Sequence, residues 1–373
     1  MTMYLERLAR LRAALPELGA EAVLVSQPES RRYLSGYSGH DMPPRDPAGY
    51  LYVSASDAFL LTDGRTAEMA KMEAPDFEVV VYKNVELAAE SIQDLSRRLG
   101  VRHLAFESIH LPYIIWKRFG EALAGQTQLV EGGELVDRLR ISKDAYELGQ
   151  LEAAIRILDD CFAHLTREVL RPGLTEWQVA WEVESYLKRR GSEPSFPSIV
   201  ASGPNSAIPH APLTYRELRE GEPLKIDIGA RVDGYCSDMT RTVCLGEPSD
   251  RLRELHALVL DSQESAERQI RPGITGREGD EIARAVIRQA GYADQFPHGT
   301  GHGIGLEVHE PPWLSQSRGT HVLGPGMVFS VEPGVYFPGW GGVRIEDLVV
   351  LEAQGTRVLS RSPKGLELGG GQR

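Results

Sequence analysis

Apolar positions recur along this chain at two spacings, and they change from one to the other several times. Tyr4, Leu5, Leu8, Leu11 and Leu15 share one side of a 3.6-residue repeat and predict an opening helix. Short apolar runs follow at Ala22 to Val25, Tyr50 to Val53, Phe59 to Leu61, Phe77 to Tyr82 and His103 to Phe106, each read as a strand. Helical spacing returns over 86–99 and 111–124. Helices that alternate with strands in this way predict an α/β layer domain, placed at residues 1–137. From Leu148 the apolar positions Leu151, Ile155, Leu158, Phe162, Leu165 and Val169 recur at steps of three and four. They predict a long helix with one buried face, capped at Ser142. A second domain is therefore expected over residues 138–373.

Two features of the first domain stand outside its apolar pattern. Asp63-Gly64-Arg65 reads as a turn with a solvated ion pair. The segment 37–49 carries Pro43, Pro44 and Pro47 and is long for a connection. It is either a surface loop or a stiffened arm that reaches a neighbouring domain or a second subunit.

The second domain repeats itself. Arg171-Pro-Gly-Leu-Thr175 and Arg271-Pro-Gly-Ile-Thr275 each open a helix, and those helices end at Gly191 and Gly291. Thr175 with Gln178, and Thr275 with Glu278, have the spacing of a capping box. After each helix comes a strand pair that carries acids. The pattern predicts an α+β domain of two helix-plus-hairpin halves related by a pseudo-twofold.

The hairpins gather the chemistry. Asp233-Gly234 is a favoured two-residue turn, and it sets Asp238 opposite Gly229. Because side chains alternate, Asp227 is then diagonal to Asp238 on one face, with Ile226 and Ile228 on the other. Closing the second hairpin around Gly339 sets Glu346 opposite Glu332. The segment His298-Gly-Thr-Gly-His302 adds an imidazole among glycines. Carboxylates crowded on a half-buried sheet repel, and a cation resolves that conflict. The five groups Asp227, Asp238, His302, Glu332 and Glu346 suit two ions with shared acids. Mostly oxygen ligands favour Mn²⁺, with Co²⁺ or Zn²⁺ as substitutes.

Composition narrows the setting. The 373 residues are 42% hydrophobic and 25% charged, ordinary for a globular chain of two domains. The net charge of −12 argues against nucleic acid and anionic membranes as partners. Three cysteines without a paired motif, and no apolar leader, point to a reducing, cytoplasmic setting.

The segments Lys-Ile-Asp227-Ile-Gly, Cys-Ser-Asp238-Met-Thr-Arg-Thr, His298-Gly-Thr-Gly-His302-Gly-Ile-Gly-Leu-Glu-Val-His309, Ser-Val-Glu332-Pro-Gly and Val-Arg344-Ile-Glu346-Asp resemble the pita-bread metallopeptidases. That family holds prolidase, aminopeptidase P and methionine aminopeptidase. The first domain is similar to the creatinase-like N-terminal domain of the Xaa-Pro-cleaving branch. The resemblance implies two divalent ions that activate a water for hydrolysis of the Xaa-Pro bond, with Glu332 as general base. It implies that His210 and His309 donate to the developing oxyanion, and that His298 and Arg344 line the pocket for proline. It also implies a homodimer. The expected substrate is a dipeptide with proline second, as for prolidase. Longer peptides, as for aminopeptidase P, are the alternative, and a binding relative without activity is the third reading. A dipeptidase must recognise a free carboxylate, and Arg344 or Arg45 on the proline-bearing segment is expected to do so.

Overall fold

A computed structural model describes residues 2–41 and 46–368. The chain divides into two compact units, Met1–Arg140 and Ile141–Arg373.

The first unit runs α1 (Met3–Ala14), β1 (Ala22–Val25), α2 (Pro28–Ser35), β2 (Tyr50–Ser54), β3 (Ala58–Asp63), α3 (Ala67–Glu73), β4 (Glu78–Tyr82), α4 (Val85–Leu99), β5 (His103–Phe106), α5 (Tyr113–Leu123), β6 (Gln128–Glu131) and α6 (Leu135–Arg140). Its six strands form one mixed sheet in the order β4-β3-β2-β1-β5-β6. Leu24, Tyr50, Tyr52, Leu61, Leu104 and Phe106 from the sheet pack with Ile92, Ile115 and Phe119 from α4 and α5. The sequence pattern left out α2, α3, β6 and α6. These are short, and α2 hides a charge: Arg31 is fully buried and donates to the carbonyls of Ser26, Gly39 and Gly49 and to the Asp41 carboxylate. With the Tyr37 hydroxyl on the Ala48 carbonyl at 3.0 Å, these bonds close the base of the 37–49 segment. Pro43, Pro44 and Arg45 lie outside the described residues. Arg65 pairs with Asp63 and with Asp46, the ion pair that its turn predicted.

The second unit opens on α7 (Ala145–His164). Its N-cap is Asp144, not Ser142. Asp144 and Glu147 close a full capping box, whereas the Ser142 hydroxyl donates to the Pro325 carbonyl. Then come α8 (Glu176–Arg189), β7 (Glu193–Pro194), β8 (Ile199–Ser202), β9 (Pro223–Ile228), β10 (Ala230–Val232), β11 (Tyr235–Cys236), β12 (Met239–Cys244) and α9 (Asp250–Gln269). The chain ends with α10 (Gly276–Gln289), β13 (Gly301–Gly303), β14 (Glu310–Leu314), β15 (Val328–Val331), β16 (Gly334–Phe337), β17 (Gly341–Arg344), β18 (Asp347–Glu352) and β19 (Gly355–Val358). Both threonine capping boxes are formed, at Thr175 and Thr275.

Each hairpin keeps one register while it passes from one sheet to another. In the first, Val232 pairs with Tyr235 and Ile228 with Met239, which sets Gly229 against Asp238. Asp233 and Gly234 both have positive φ, 47° and 81°, as a two-residue turn of this hand requires. In the second, Val331 pairs with Asp347 and Gly334 with Arg344, which sets Glu332 against Glu346. Apolar cores lie behind the acids. Ile226, Ile228 and Met239 pack with Leu158 and Phe162 of α7 and Val179 and Val183 of α8. Val343 and Ile345 pack with Leu255 and Val259 of α9 and Ile287 of α10.

His256 of α9 is the odd member of that helix face. It is 6% exposed, and its Nε2 has no hydrogen-bond partner among the described residues. Burial pushes its imidazole down to about 4, and the Arg241 guanidinium adds to this against a backbone hydrogen bond at Lys364. The folded chain therefore prefers the neutral ring, and stability is lost as pH falls from about 6.5 toward 4. The two values correspond to about 2 kcal/mol lost by pH 5. His256→Gln, which cannot titrate, is expected to lose that much less than wild type in urea unfolding at pH 7.5 and pH 5. An equal loss in both proteins would place the acid sensitivity elsewhere.

Candidate metal centre

The two hairpins meet edge to edge at Thr240–Thr242 and Arg344–Glu346. The Glu346 amide donates to the Thr240 carbonyl at 3.0 Å, and the Thr242 hydroxyl donates to the Arg344 carbonyl at 3.0 Å. Arg344 and Glu346 of this seam line a cleft of about 1060 Å³. Asp227, Asp238, His302, Glu332 and Glu346 all line it, as do His210, His298, His309 and Arg344. The residues that the sequence reading grouped thus share one cleft, and Arg45 lies outside the described residues.

His302 reaches the acids from β13. Gly301 beside it leaves no room for a side chain, because a Cβ there would lie 1.9 Å from the Ser330 carbonyl. The His302 Nδ1 faces the Gly303 carbonyl at 3.1 Å and so carries a hydrogen. Its Nε2 lies 3.2 Å from a Glu332 oxygen and 3.8 Å from an Asp238 oxygen. A lone pair cannot face two carboxylates unaided, so a proton or a metal ion belongs between them. Ligand atoms of Asp238, His302 and Glu346 all fall within 4.8 Å of one another. One oxygen each of Asp227, Asp238 and Glu346 is buried without a hydrogen-bond partner among the described residues. Bare, buried carboxylate oxygens beside an imidazole nitrogen fit hard divalent cations, and this is the test that the donor set passes.

The charges divide unevenly. Burial, then the Glu346, Asp227 and Glu332 carboxylates, push Asp238 well above the ordinary carboxylate range. Glu346 is pushed up likewise by burial and by Glu332 and Asp227. Glu332 moves the other way. Burial raises it, but His302, His298 and Arg344 outweigh that and hold it down to about 2.

Two of the expected pocket residues are already engaged by the protein. Arg344 lines the cleft, but it is 3% exposed and four of its five N–H groups have acceptors. It pairs with Asp227 and donates to the Thr240 and Tyr336 hydroxyls and the Pro209 carbonyl. It is a counter-ion to the acids, with no fork left for a substrate carboxylate. His298 is equally committed, Nδ1 to the Gly299 carbonyl at 2.8 Å and Nε2 to the Tyr336 hydroxyl at 2.9 Å. Burial pushes it down to about 4, so it is neutral and offers ring surface rather than a donor. His210 and His309 differ, since neither hydrogen-bonds to a described residue. His309 packs its ring edge on His302 at 4.2 Å and is pushed down to about 4 by burial and by the His302 charge.

Sequence reasoning missed Tyr336, Thr240 and Arg318. Arg318 is exposed at the cleft wall, its guanidinium 3.4 Å over the Trp313 ring, with no acidic partner among the described residues. No motif marks it, and only the cleft reveals it.

Residues 149–353 match the model of metallopeptidase family M24, and residues 7–142 match the creatinase/prolidase N-terminal domain. The chain is 38% identical to an uncharacterized peptidase of Bacillus subtilis, over 96% of this chain and 99% of that one. It is 35% identical to the Xaa-Pro dipeptidase of Pyrococcus furiosus, over 97% and 99%. Among solved structures, the Xaa-Pro dipeptidase from Bacillus anthracis superposes with a TM-score of 0.91 at 38% identity, covering 98% of this chain and 99% of that one.

Proposed function

On the premise that the chain belongs to metallopeptidase family M24 with a creatinase/prolidase N-terminal domain, we propose that it hydrolyses the Xaa-Pro bond of dipeptides. The observation that carries this is the floor of the cleft, where ligand atoms of Asp238, Glu346 and His302 lie within 4.8 Å of one another and Asp227, Asp238 and Glu346 each keep one buried oxygen without a partner among the described residues. The family implies divalent metal ions. Asp227, Asp238, His302, Glu332 and Glu346 would hold two, and the predominance of carboxylates favours Mn²⁺. When bound, such ions supply Lewis acidity and a water acidified toward neutral pH.

The chain's own residues do the rest. Glu332, kept ionised beside His302, takes the proton of the attacking water. His210 and His309 present N–H donors to the carbonyl oxygen before proline, which gains charge as the bond is attacked. Burial pushes His309 down to about 4, so in the working range it is a neutral ring that presents its single N–H. The His298 ring face suits the apolar prolyl ring. Arg318, braced on Trp313, takes the free carboxylate of the proline.

The test is hydrolysis of Ala-Pro beside Ala-Pro-Ala with Mn²⁺ added and then chelated. Metal-dependent preference for Ala-Pro supports the reading. Preference for the tripeptide makes the chain an aminopeptidase P, and no cleavage of either makes it a binding relative. Arg318→Ala is expected to raise KM for Ala-Pro by about ten- to a hundredfold, the worth of a charged hydrogen-bonded pair, and to leave Ala-Pro-amide little changed. If Arg45→Ala gives that split and Arg318→Ala does not, the carboxylate is read from the proline-bearing segment. A homodimer in the cytoplasm belongs to the same proposal. It agrees with a chain whose described helices include none long and apolar enough to cross a membrane. Light scattering tests the dimer.

A further inference from the structure

Lys225 is a fully buried amine that the reaction does not use; burial and then the Arg344 guanidinium push it down to about 6, and the carbonyls that surround it favour its protonated form. It stands on β9, two residues before Asp227, on the face that carries the acids. Its amine bonds to the segment that ends in His210. Three carbonyl oxygens converge on its Nζ: Ile208 at 2.6 Å, Pro209 at 2.9 Å and Ser206 at 3.3 Å. An ammonium has three protons, and each has one acceptor here. The Tyr336 ring lies 5.2 Å below it.

Those carbonyls matter because they belong to the turn that delivers His210 to the cleft. Gly203–Ala207 is a single 3-10 turn, and Ile208 is 49% exposed. The Ser206 hydroxyl accepts from the Gly342 amide, and Arg344 adds a longer bond of 3.3 Å to the Pro209 carbonyl. On the other flank, buried Glu176 binds Ser202, Asn205 and Thr214. Lys225 is the only side chain among the described residues that donates to the Ile208 carbonyl, two residues before His210.

We propose that Lys225 is a positioning residue that locks the Ser206–Pro209 carbonyls and thereby holds His210 at the scissile carbonyl. The inference rests on the reading of His210 given above. A methylene stem without donors, as in Lys225→Met, keeps the volume and releases the three carbonyls. A misplaced donor then weakens transition-state contact without touching the metal ligands.

The experiment uses the full Mn²⁺-loaded enzyme in four forms: wild type, K225M, H210A and the double variant, with K225Q in place of K225M if the latter does not fold. In K225M, hydrogen exchange is expected to rise across residues 203–212 and to stay unchanged across β12, with bound metal as in wild type. The kcat/KM for Ala-Pro is expected to fall roughly ten- to a hundredfold in the single variant and less than about twofold in the H210A background. If H210A matches wild type, the reading of His210 falls and the positioning role falls with it. If H210A is impaired but exchange at 203–212 is unchanged in K225M, or the two losses add in full, only the Lys225 inference falls. Metal loss without faster exchange would assign Lys225 to Asp227 and likewise overturn it.

Discussion

Glu346→Gln is expected to melt above wild type when both are kept free of metal by chelator, and to lose a thousandfold or more of peptidase activity when both are assayed with Mn²⁺. The two effects have one cause. Glu346 is held well above the ordinary carboxylate range by burial and by Glu332 and Asp227, so in the metal-free chain its charge is a burden. Glutamine removes that charge and keeps an oxygen for the Thr240 hydroxyl, which donates to Glu346 at 2.8 Å. Its amide also offers donors to carboxylate oxygens of Asp227 and Asp238 that have none among the described residues. Each kcal/mol of relief is worth roughly 2–4 °C in a chain with domains of this size. Activity fails because Gln is a poor partner for the divalent ions, which supply several kcal/mol of transition-state stabilisation.

The pH dependence separates this account from simple repacking. An acid whose folded pKa is raised favours the folded state while it is protonated, and it opposes folding as pH climbs above the ordinary carboxylate range. The Tm gap between chelated Glu346→Gln and chelated wild type should therefore widen from pH 5 to pH 8. Subtraction cancels the opposite slope from His256, which both proteins share. With Mn²⁺ added, wild type should gain stability and overtake the variant, increasingly so at higher pH, because the ligands bind as anions. A gap that is constant across pH would mean that the variant merely packs better, and that the acids do not repel.

That conflict was legible in the sequence because hairpin register propagates. Once Asp233-Gly234 fixes one pair, alternation fixes the face of Asp227 and Asp238, ten residues and two sheets notwithstanding. The second hairpin was legible for the same reason, from Gly339 to Glu332. What was not legible are the commitments of long side chains. Arg344 was read as a clamp for substrate because an exposed guanidinium would be one, and nothing local says that Asp227 and Tyr336 claim it first. Tyr336 comes from β16, a strand with no acid to mark it, yet it also occupies His298. The cap of α7 is a different kind of miss. Ser142 has Ala145 at its third position, whereas Asp144 has Glu147, so the full capping-box rule would have chosen correctly. Lys225 breaks the polar-out pattern of a strand, but only the structure shows the three carbonyls that compensate it.

Arg241→Met is expected to destabilise the chain by roughly 3–5 kcal/mol, the usual consequence of removing one partner from a buried ion pair. Arg241 comes from the first hairpin and is 1% exposed, and all five of its N–H groups are used. Its Nε donates to the Pro363 carbonyl at 3.1 Å. One terminal nitrogen holds the carbonyls of Thr240 and Glu346, and the other holds the Asp347 carboxylate at 2.6 Å and the Ser362 carbonyl at 2.8 Å. It thus stitches the first hairpin to the second and to the C-terminal segment at once. Asp347 keeps Lys364 at 2.6 Å after the change, which limits the damage to one partner. The four carbonyls keep nothing in exchange from a methionine. Because one of them belongs to Glu346, the same variant should bind Mn²⁺ about ten- to a hundredfold more weakly, the scale seen when the support of a metal ligand is removed. Arg241→Lys, with three donors for five acceptors, should fall between the two in urea unfolding and in metal titration. If Arg241→Met unfolds within about 1 kcal/mol of wild type and binds metal unchanged, the seam bonds and apolar cores suffice to join the two halves, and the acids are placed without this arginine.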